Sequence, residues 1–492
     1  MRHPFISYVC STILVLCCGC ASYPVNPPLE EIDENTGYRM ANRTLGEKNS
    51  DELFIVLSLS GGGTRAAALD YGVFQYLDRI QFGTDNRSLL DEVDLISSSS
   101  GSSLVAAYFG LFGQQTFLDD FVDDVLYRNV ETALKGSILN PVAWPRLASR
   151  DFSRGDLVAE YFNKHIFDGL TFADMRQQRP TIMLNATDMG IGAQFSFLQG
   201  YFDLICSDLS QVSVARAVTA SMAFTPGFTP ITLKNYNDGR CGYQTPAWVR
   251  DALNAGVDAD PLLHAAARDM TSYEVIDKRP YIHLLDSGIS DNMGIRVPQL
   301  VFRVTNQFDQ LIDGTIKKLV IIMVDAKPKT YFKGDLKARP PNALTSIKTS
   351  ASRPLANYSS ETVNLIKRNV SDTHKKSLEQ QRTRVSCNDH AKALCEQLEL
   401  DADCYEKVAN SCLDMFGINQ DHPHQEFGIY LVHVTFQSIE NQAKRERFQS
   451  IPTKLELPEE QVNRLIEVAP ELLQKDPDFH FLLRDLGAHI TD

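Results

Sequence analysis

Three separate segments of the chain carry groups that suit nucleophilic chemistry. The first is a run of glycines at 61–63, directly after the apolar, strand-like stretch 54–60 and directly before a helical pattern. Glycines at such a strand-to-helix turn leave backbone N–H groups accessible, and these point the same way as the positive end of the helix dipole. The turn is therefore suited to hold a phosphate or the oxyanion of an acyl-transfer intermediate.

The glycine run alone does not decide between a ligand site and an ordinary tight turn. Its spacing also fits a dinucleotide-binding fingerprint, but that motif needs an acidic residue at the end of the next strand. Here the next strand-like run, 93–96, ends in serines instead. The sequence does not fit a Walker phosphate-binding loop either, because no Gly-Lys-Ser/Thr follows the glycines.

The second segment is the serine-rich stretch 97–103, between a strand-like run and an apolar helical pattern. Strand, tight turn and buried helix are the setting of a nucleophile elbow, in which a strained turn exposes one hydroxyl beside a helix N-terminus. Capping of the helix by Ser102 or Ser103 is the alternative interpretation. Ser100 lies at the bend, before Gly101, and is the predicted nucleophile, with Ser103 as the second candidate.

The third segment supplies a carboxylate. The strand-like run 281–285 ends at Asp286, and a turn containing Gly288 follows. This is a position where α/β folds place catalytic groups, although solvated turns also favour Asp and Gly. Asp325, at the end of the apolar run 318–325, is a weaker candidate because no glycine turn follows it.

Together the three segments resemble the motifs of the patatin-like phospholipase family, over about residues 52–330 and again near 427–475. The glycine turn matches the family's oxyanion turn, Ser100 matches its nucleophile, and Asp286 matches the aspartate of its Asp-Gly-Gly or Asp-Gly-Ala turn. The resemblance implies that Asp286 is the base of a serine–aspartate dyad. The implied oxyanion-hole residues are Gly61, Gly62 and Gly63, with Arg65 in support.

The sequence departs from the family pattern at three positions. Ser98 and Ser102 stand where the elbow motif Gly-x-Ser-x-Gly has glycine, and Ser287 occupies the middle of the aspartate turn. The resemblance implies hydrolysis of carboxylic esters of lipids, with phospholipids as the leading substrates and without a cofactor or a metal. The serines in place of glycines favour one alternative, a non-catalytic lipid-binding protein on the same fold.

A Ser-His-Asp esterase is the alternative within hydrolytic chemistry. Its candidate histidines are His283, shortly before Asp286, and His433, in the strand-like run 429–436. The His-Gly-Gly-Gly turn of many lipases is missing, since Ser60 stands where that histidine would be. We therefore expect structural roles for both histidines, with His283 as a packed strand residue.

The elements that must position these groups alternate between strand and helix, which predicts an α/β fold. The resemblance implies a patatin-like three-layer sandwich with a mostly parallel central sheet. We expect the catalytic core to cover residues 51–340 and a helical, disulfide-bearing insertion to cover 341–425. A strand and a helix within 426–492 would complete the core.

Residues 1–19 have the features of a lipoprotein signal peptide, because one arginine precedes a short apolar run. Gly19 directly before Cys20 resembles a bacterial lipobox, which implies lipidation of Cys20, although Cys17 and Cys18 occupy positions where that pattern prefers leucine and a small residue. An ordinary signal peptide cleaved nearby is the alternative. Ala21 resembles the sorting residue of outer-membrane lipoproteins, so we expect an exported, membrane-anchored protein. The polar stretch 20–50 is predicted to be a tether.

The charge of the chain limits its partners. The formal net charge is −14 at pH 7. An acidic surface argues against nucleic acid and against recruitment to anionic lipid by charge alone. Membrane proximity would therefore come from the lipidated N-terminus.

Six cysteines follow Cys20, and an even number in an exported chain predicts disulfides. Metal binding is the alternative, but no His-x-His or Cys-x-x-Cys spacing among these six supports it. The last four would pair if two short helices lay in antiparallel register. The expected pairs are Cys206–Cys241, Cys387–Cys412 and Cys395–Cys404.

One apolar stretch, 139–145, is interrupted by prolines and contains Trp144. Core packing is the more ordinary interpretation of this tryptophan. A lid or a lipid-facing edge is the alternative, because tryptophan favours the headgroup level of a membrane.

Overall fold

The structure is a computed structural model of the 492-residue chain. The predicted signal peptide and Cys20 lie outside the residues that it describes. The described residues are 22, 25–225, 227–304, 316–328, 338, 340–342, 345, 361–368, 382–383, 385–398, 402–416 and 428–491.

The strands are short, apolar segments that alternate with helices along the chain, as an α/β fold requires. In chain order they are β1 Leu53–Leu59, β2 Ile80–Phe82, β3 Arg87–Ser88, β4 Val93–Ser98, β5 Thr181–Asp188, β6 Gln194–Ser196, β7 Ile231–Lys234, β8 Tyr281–Leu285, β9 Lys318–Asp325, β10 Gly428–Thr435 and β11 His489–Ile490.

The central sheet is mostly parallel, as the sequence predicted. Within the described residues it has eight strands in the order β10-β9-β1-β4-β5-β8-β7, with β6 paired to β5. The strands from β10 to β5 are parallel to their neighbours, with Leu57 opposite both Ile96 and Ile322. The last two, β8 and β7, are antiparallel. Strands β11, β2 and β3 form a separate small sheet.

The α-helices, some of only one turn, cover the sheet and its edges. In chain order they are α1 Thr64–Asp78, α2 Ser102–Phe121, α3 Val130–Leu139, α4 Trp144–Leu147, α5 Arg154–His165, α6 Gln199–Asp203, α7 Val214–Ser221, α8 Ala247–Ala255, α9 Pro261–Thr271, α10 Gly288–Asp291, α11 Arg296–Val304, α12 361–368, α13 385–397, α14 Ala402–Met415, α15 Gln442–Gln449, α16 Glu459–Gln474 and α17 Pro477–Leu486.

Both faces of the sheet are covered. Every residue of β1 and of β4 is buried, which is typical of a parallel sheet between two layers of helices. Helix α16 crosses α1 closely at Gly72, where a Cβ atom would lie 2.4 Å from the carbonyl oxygen of Ile466. The C-terminal helices thus hold α1, and with it the turn between β1 and α1, against the sheet.

The three expected disulfides are present. Cys387 is bonded to Cys412 and Cys395 to Cys404, which links α13 to α14. The third bond joins the segment after α6 to the loop before α8, through Cys206 and Cys241.

The stretch 25–44 differs from the tether that the sequence predicted. Tyr38 is buried, and its hydroxyl accepts a hydrogen bond from the backbone N–H of Ile182 at 2.8 Å. Asn26 is also buried and donates to Ser207 Oγ at 2.8 Å. Because of these contacts the tether prediction is wrong for this stretch. A polar composition alone does not reveal such contacts.

Trp144 is not part of the core, and the core-packing interpretation is therefore wrong. Its side chain is 57% exposed. Asn140 and Pro141 end α3 at Leu139, since the residue before a proline disfavours the helical conformation, and the chain then stays on the surface.

Within the described residues, no helix combines the length and apolarity that crossing a membrane requires.

Candidate active site

The glycine turn joins β1 to α1 at the carboxyl edge of the sheet. Gly63 has a φ of +61°, which favours glycine, and a Cβ atom there would lie 2.3 Å from the carbonyl oxygen of Lys454. A Cβ atom on Gly61 would lie 3.1 Å from the Cβ atom of Ser100. The turn therefore needs glycine, and it lies directly beside the serine elbow.

The amides of this turn differ in their hydrogen bonding. The N–H of Gly61 donates to the carbonyl oxygen of Asn292 at 2.9 Å. Among the residues that the structure describes, none accepts a hydrogen bond from the N–H of Gly62 or Gly63. The sequence-based assignment of Gly61 as an oxyanion donor is thus not supported by this geometry, whereas Gly62 and Gly63 retain donors for a ligand.

Arg65 supports the turn from behind. It is buried, its Nε donates to the carbonyl oxygen of Ala326 at 2.8 Å, and its Nη1 donates to that of Ile451 at 2.7 Å. Burial lowers the pKa of the Arg65 guanidinium to about 10, which nearby Asp325 partly opposes. Arg65 therefore ties the start of α1 to the end of β9 and to the C-terminal segment.

The serine elbow joins β4 to α2. Ser100 has a φ of +54°, which an ordinary side chain rarely adopts. Its backbone N–H donates to Ser221 Oγ and to Ser287 Oγ, each at 2.9 Å. These two hydroxyls hold the bend that exposes the Ser100 side chain, which is typical of a nucleophile elbow.

The serines that replace glycine in the elbow are accommodated by hydrogen bonds. Ser98 Oγ lies 3.0 Å from Ser103 Oγ, and Ser102 Oγ donates to the carbonyl oxygen of Ser60 at 2.7 Å. Gly101 is the position that tolerates no side chain, because a Cβ atom there would lie 2.4 Å from the Cα atom of Gly63. The close approach between elbow and glycine turn therefore falls on Gly101.

Asp286 meets the hydroxyl of Ser100. Ser100 Oγ donates to Asp286 Oδ2 at 2.8 Å, and the N–H of Gly288 donates to Asp286 Oδ1 at 2.8 Å. The backbone N–H of Asp286 donates to the carbonyl oxygen of Ala223 at 3.2 Å. The carboxylate is thus oriented on both oxygens.

Burial changes the acidity of Asp286. Removal from water raises its pKa from the ordinary 3.8 to about 6, while the hydrogen bonds from Ser100 and Gly288 partly oppose this change. A carboxylate with a raised pKa is a stronger base, yet at neutral pH it is still mainly ionised. The pair has the geometry of a nucleophile and its general base.

The other candidates from the sequence lie elsewhere. Ser103 Oγ is buried and lies 2.8 Å from Ser221 Oγ. Asp325 Oδ1 accepts from the N–H of Lys327, and Asp325 Oδ2 lies 3.6 Å from His433 Nε2. These contacts direct Ser103 and Asp325 towards partners other than Ser100.

His283 is exposed, not packed as predicted. It alternates with buried residues on β8, as expected, but its side chain points to the surface and its Nδ1 lies 3.0 Å from Thr232 Oγ1. Within the described part of the chain, no histidine forms a hydrogen bond with Ser100. A histidine base for Ser100 thus has no support in this geometry.

Several residues of the site were not identified from the sequence. Ser221, at the end of α7, and Ser287 form the acceptors of the Ser100 amide, and Asn292 anchors Gly61. Ser287 was noticed only as a departure from the family pattern. The roles of Ser221 and Asn292 depend on long-range contacts that no local spacing reveals.

The described residues include no cluster of three or more His, Cys, Asp or Glu side chains suited to hold a metal ion.

Comparisons with known proteins bear on the region that contains the candidate site. Residues 57–297 match a family model described as patatin-like phospholipase. No curated protein matches the chain. The matched range contains the glycine turn, the serine elbow and Asp286.

Proposed function

Residues 57–297 of this chain are a patatin-like phospholipase domain, as the three motifs predicted, and from that premise we propose that the protein is a serine acyl hydrolase acting on carboxylic esters of lipids, with phospholipids as substrates. The observation that carries the proposal is the 2.8 Å hydrogen bond from Ser100 Oγ to Asp286 Oδ2. It joins a hydroxyl on a strained turn to a buried carboxylate, beside the backbone amides of Gly62 and Gly63, for which the described residues provide no acceptor.

In the proposed first step, Asp286 Oδ2 accepts the hydroxyl proton while Ser100 Oγ attacks the ester carbonyl carbon. Negative charge then develops on the carbonyl oxygen, and the N–H groups of Gly62 and Gly63 receive it. Loss of one such donor typically costs about 3 kcal/mol of transition-state stabilisation. The intermediate collapses when the alcohol leaves with the proton from Asp286, and the acyl group stays on Ser100.

In the second step, water releases the acyl group. Asp286 accepts a proton from water, whose oxygen attacks the acyl carbon, and the same two amides stabilise the second oxyanion. The collapse returns a proton from Asp286 to Ser100 Oγ and releases the fatty acid. The chemistry needs only the carboxylate, the hydroxyl and the amides, so the proposal includes no cofactor.

Serines stand where the family motif has glycines, and a non-catalytic lipid-binding role is therefore the alternative to catalysis. Two contacts weaken that alternative. Ser102 Oγ bonds to Ser60, so it turns away from Ser100, and Ser287 Oγ supports the Ser100 amide. The serines therefore occupy the glycine positions without blocking the dyad.

The test is release of fatty acid from phospholipid vesicles by the purified full chain. We expect release by the unchanged protein and a loss of at least two orders of magnitude in Ser100→Ala, because the nucleophile is gone. Asp286→Asn should lose activity to a similar extent. Lipid binding without release by the unchanged protein would favour the non-catalytic alternative, and full activity in Ser100→Ala would exclude the proposed nucleophile.

We also propose that the protein is an exported lipoprotein anchored in an outer membrane through acyl chains on Cys20. The support is the signal-like sequence 1–19 and the lipobox-like residues around Cys20. Metabolic labelling with an alkyne analogue of palmitate should mark the protein in membrane fractions, and Cys20→Ala should lose the label. Equal labelling of both proteins would contradict lipidation at this cysteine.

A further inference from the structure

One surface segment combines exposed apolar side chains with attachment to the candidate active site. We call residues 130–154, which include α3 and α4, the strap. Leu139, Val142 and Trp144 in its centre are 72%, 80% and 57% exposed. Neighbouring exposed apolar residues on a protein surface commonly mark an interaction site.

The N-terminal end of the strap is attached near the glycine turn. The backbone N–H of Thr132 donates to Glu456 Oε2 at 3.1 Å. Glu456 lies two residues after Lys454, whose carbonyl oxygen accepts from the N–H of Thr64 at 2.8 Å. This end of the strap therefore contacts the segment that covers the glycine turn.

The C-terminal end is attached on the aspartate side of the site. Thr229 Oγ1 donates to Ser153 Oγ at 2.8 Å and accepts from the N–H of Gly155 at 2.7 Å. Thr229 belongs to the segment that begins at Ala223, whose carbonyl oxygen accepts from the N–H of Asp286. The two ends of the strap are thus fixed to the two segments that flank the dyad.

The charge of the strap differs from that of the chain. The strap has four basic residues and two acidic residues, whereas the whole chain has a net charge of −14. Two of the basic residues form ion pairs, Lys135 with Glu131 and Arg146 with Glu160. Arg150 and Arg154 are exposed, and neither forms an ion pair with any residue that the structure describes. Basic side chains beside exposed tryptophan and aliphatic residues suit an anionic lipid surface.

The N-terminus of the described chain lies against the strap. Ser22 forms a parallel β-bridge with Asp151. Cys20, the predicted lipidation site, is two residues before Ser22 and lies outside the described residues. An anchor on Cys20 would therefore be joined to the chain two residues before a residue that contacts the strap.

We propose that the strap is a membrane-docking surface, whose occupant is an anionic phospholipid bilayer. Leu139, Val142 and Trp144 enter the interface, and the basic side chains lie at the level of the phosphates. Because both ends of the strap are fixed to the segments that flank Ser100 and Asp286, docking presents the candidate site to lipid in the same bilayer that holds the anchor. This role as a substrate-presenting surface rests on the proposed function.

Depth-dependent quenching of tryptophan fluorescence tests the proposal. The chain has two tryptophans, Trp144 and Trp248, and the second is only partly exposed in α8. Full-length protein with Ser100→Ala, which leaves the lipid intact, is bound to vesicles of phosphatidylglycerol and brominated phosphatidylcholine. With Trp248→Phe added, we expect strong quenching of Trp144. With Trp144→Phe added instead, we expect several-fold weaker quenching of Trp248.

Matched variants separate docking from general surface hydrophobicity. Val142→Ser should reduce the quenching of Trp144, whereas Val257→Ser should not, although Val257 is 54% exposed. Replacing Arg150 and Arg154 with glutamine should reduce the quenching of Trp144 more on anionic vesicles than on neutral ones. Equal quenching of the two tryptophans would overturn the proposal.

Two further results would also reject the docking surface. One is vesicle-bound protein in which Trp144 is not quenched, which would mean that the protein binds the vesicle through a surface other than the strap. The other is protein that does not float with the vesicles at all. Because the quenching uses Ser100→Ala, failure of the hydrolase proposal is distinguishable: unchanged protein would then release no fatty acid while Trp144 is still quenched.

Discussion

At the scale of single residues, the proposed chemistry depends on the environment of Asp286. The carboxylate is buried and receives hydrogen bonds on both oxygens, from Ser100 Oγ and from the N–H of Gly288. Burial raises its basicity, and the two donors keep it ionised at neutral pH. A solvated aspartate with an ordinary pKa would accept the serine proton less readily.

This environment predicts the pH dependence of the reaction. Only ionised Asp286 can accept a proton, and its pKa is raised to about 6. The kcat/KM for a lipid ester should therefore fall as the pH decreases through about 6, whereas an aspartate with the ordinary value would lose activity only near pH 4. A pH–rate profile of the purified enzyme measures this. Constant activity from pH 7 to pH 5 would contradict the assignment of Asp286 as base.

The residues with reactive side chains could be identified from the sequence, but their supports could not. Ser100 and Asp286 each follow a strand and precede a glycine-containing turn, which is a local pattern. Ser221 is separated from Ser100 by 121 positions, and only the fold brings the two together. The sequence predicts Gly61 as an oxyanion donor, because local spacing does not show that its N–H donates to the carbonyl oxygen of Asn292.

The supporting hydroxyls lead to a second prediction. Ser221→Ala together with Ser287→Ala removes both acceptors of the Ser100 amide. An unpaired buried N–H costs about 1–3 kcal/mol, so we expect the elbow to relax and kcat to fall by one to two orders of magnitude. Kinetics on the double variant and on each single variant measure this. The single variants should lose less, because one acceptor remains, and unchanged kcat in the double variant would exclude this supporting role.

At the scale of elements, the turn between β1 and α1 is fixed by close backbone contacts. Gly63 lies against the backbone of Lys454 on one side and against Gly101 on the other. The C-terminal segment is thus part of the turn's geometry, although it is far away in sequence. The accessible amides depend on this packing as much as on the glycines themselves.

Alanine substitutions at two glycines should separate the cost of a positive φ from the cost of a steric clash. Gly63→Ala must accommodate both a positive φ and a Cβ atom 2.3 Å from the oxygen of Lys454. Gly192→Ala is the matched control, since its φ is +70° but nothing lies within 4 Å of its Cβ position. We expect Gly192→Ala to lower the free energy of unfolding by about 1 kcal/mol and Gly63→Ala by more, with loss of activity only at Gly63. Urea unfolding and ester kinetics measure both.

Equal destabilisation and equal activity in the two alanine variants would show that the contact of Gly63 with Lys454 does not constrain the turn.

The alternation of strands and helices predicted the sheet, but not the direction of every strand. The apolar runs of β1 and β9 are buried on both faces, as parallel strands require. Strand β8 alternates between buried and exposed residues and pairs antiparallel with β5. Its last residue, Leu285, lies opposite Thr187 near the carboxyl end of β5, so Asp286 still arrives at the edge where the other two turns lie.

At the scale of the whole molecule, distant parts of the chain stabilise the matched domain, residues 57–297. The N–H groups of Leu29 and Ile32 donate to the carbonyl oxygens of Cys206 and Cys241, which are joined by a disulfide. Arg39 forms an ion pair with Asp203 at 2.6 Å. The stretch 25–44 is polar and contains few apolar residues, so its attachment could not be read from hydrophobic patterning.

Disulfide removal should affect the two regions differently. Cys206→Ser with Cys241→Ser opens a 35-residue loop to which the N-terminal stretch is bonded, and we expect a loss of roughly 3–4 kcal/mol in the free energy of unfolding. Cys395→Ser with Cys404→Ser opens a loop of only 9 residues outside the matched domain and should cost less, with hydrolysis retained. Urea unfolding of both double variants compares them, and a larger loss in the second would contradict this ranking.

The most direct test of the account is covalent labelling of the nucleophile by a fluorophosphonate probe, followed by mass spectrometry of the labelled peptide. The account predicts one adduct on Ser100, absent from Ser100→Ala, strongly reduced in Asp286→Asn and retained in Ser103→Ala. An adduct on another serine, or undiminished labelling of Ser100→Ala, would contradict the claim that this hydroxyl and the Asp286 carboxylate form the catalytic pair.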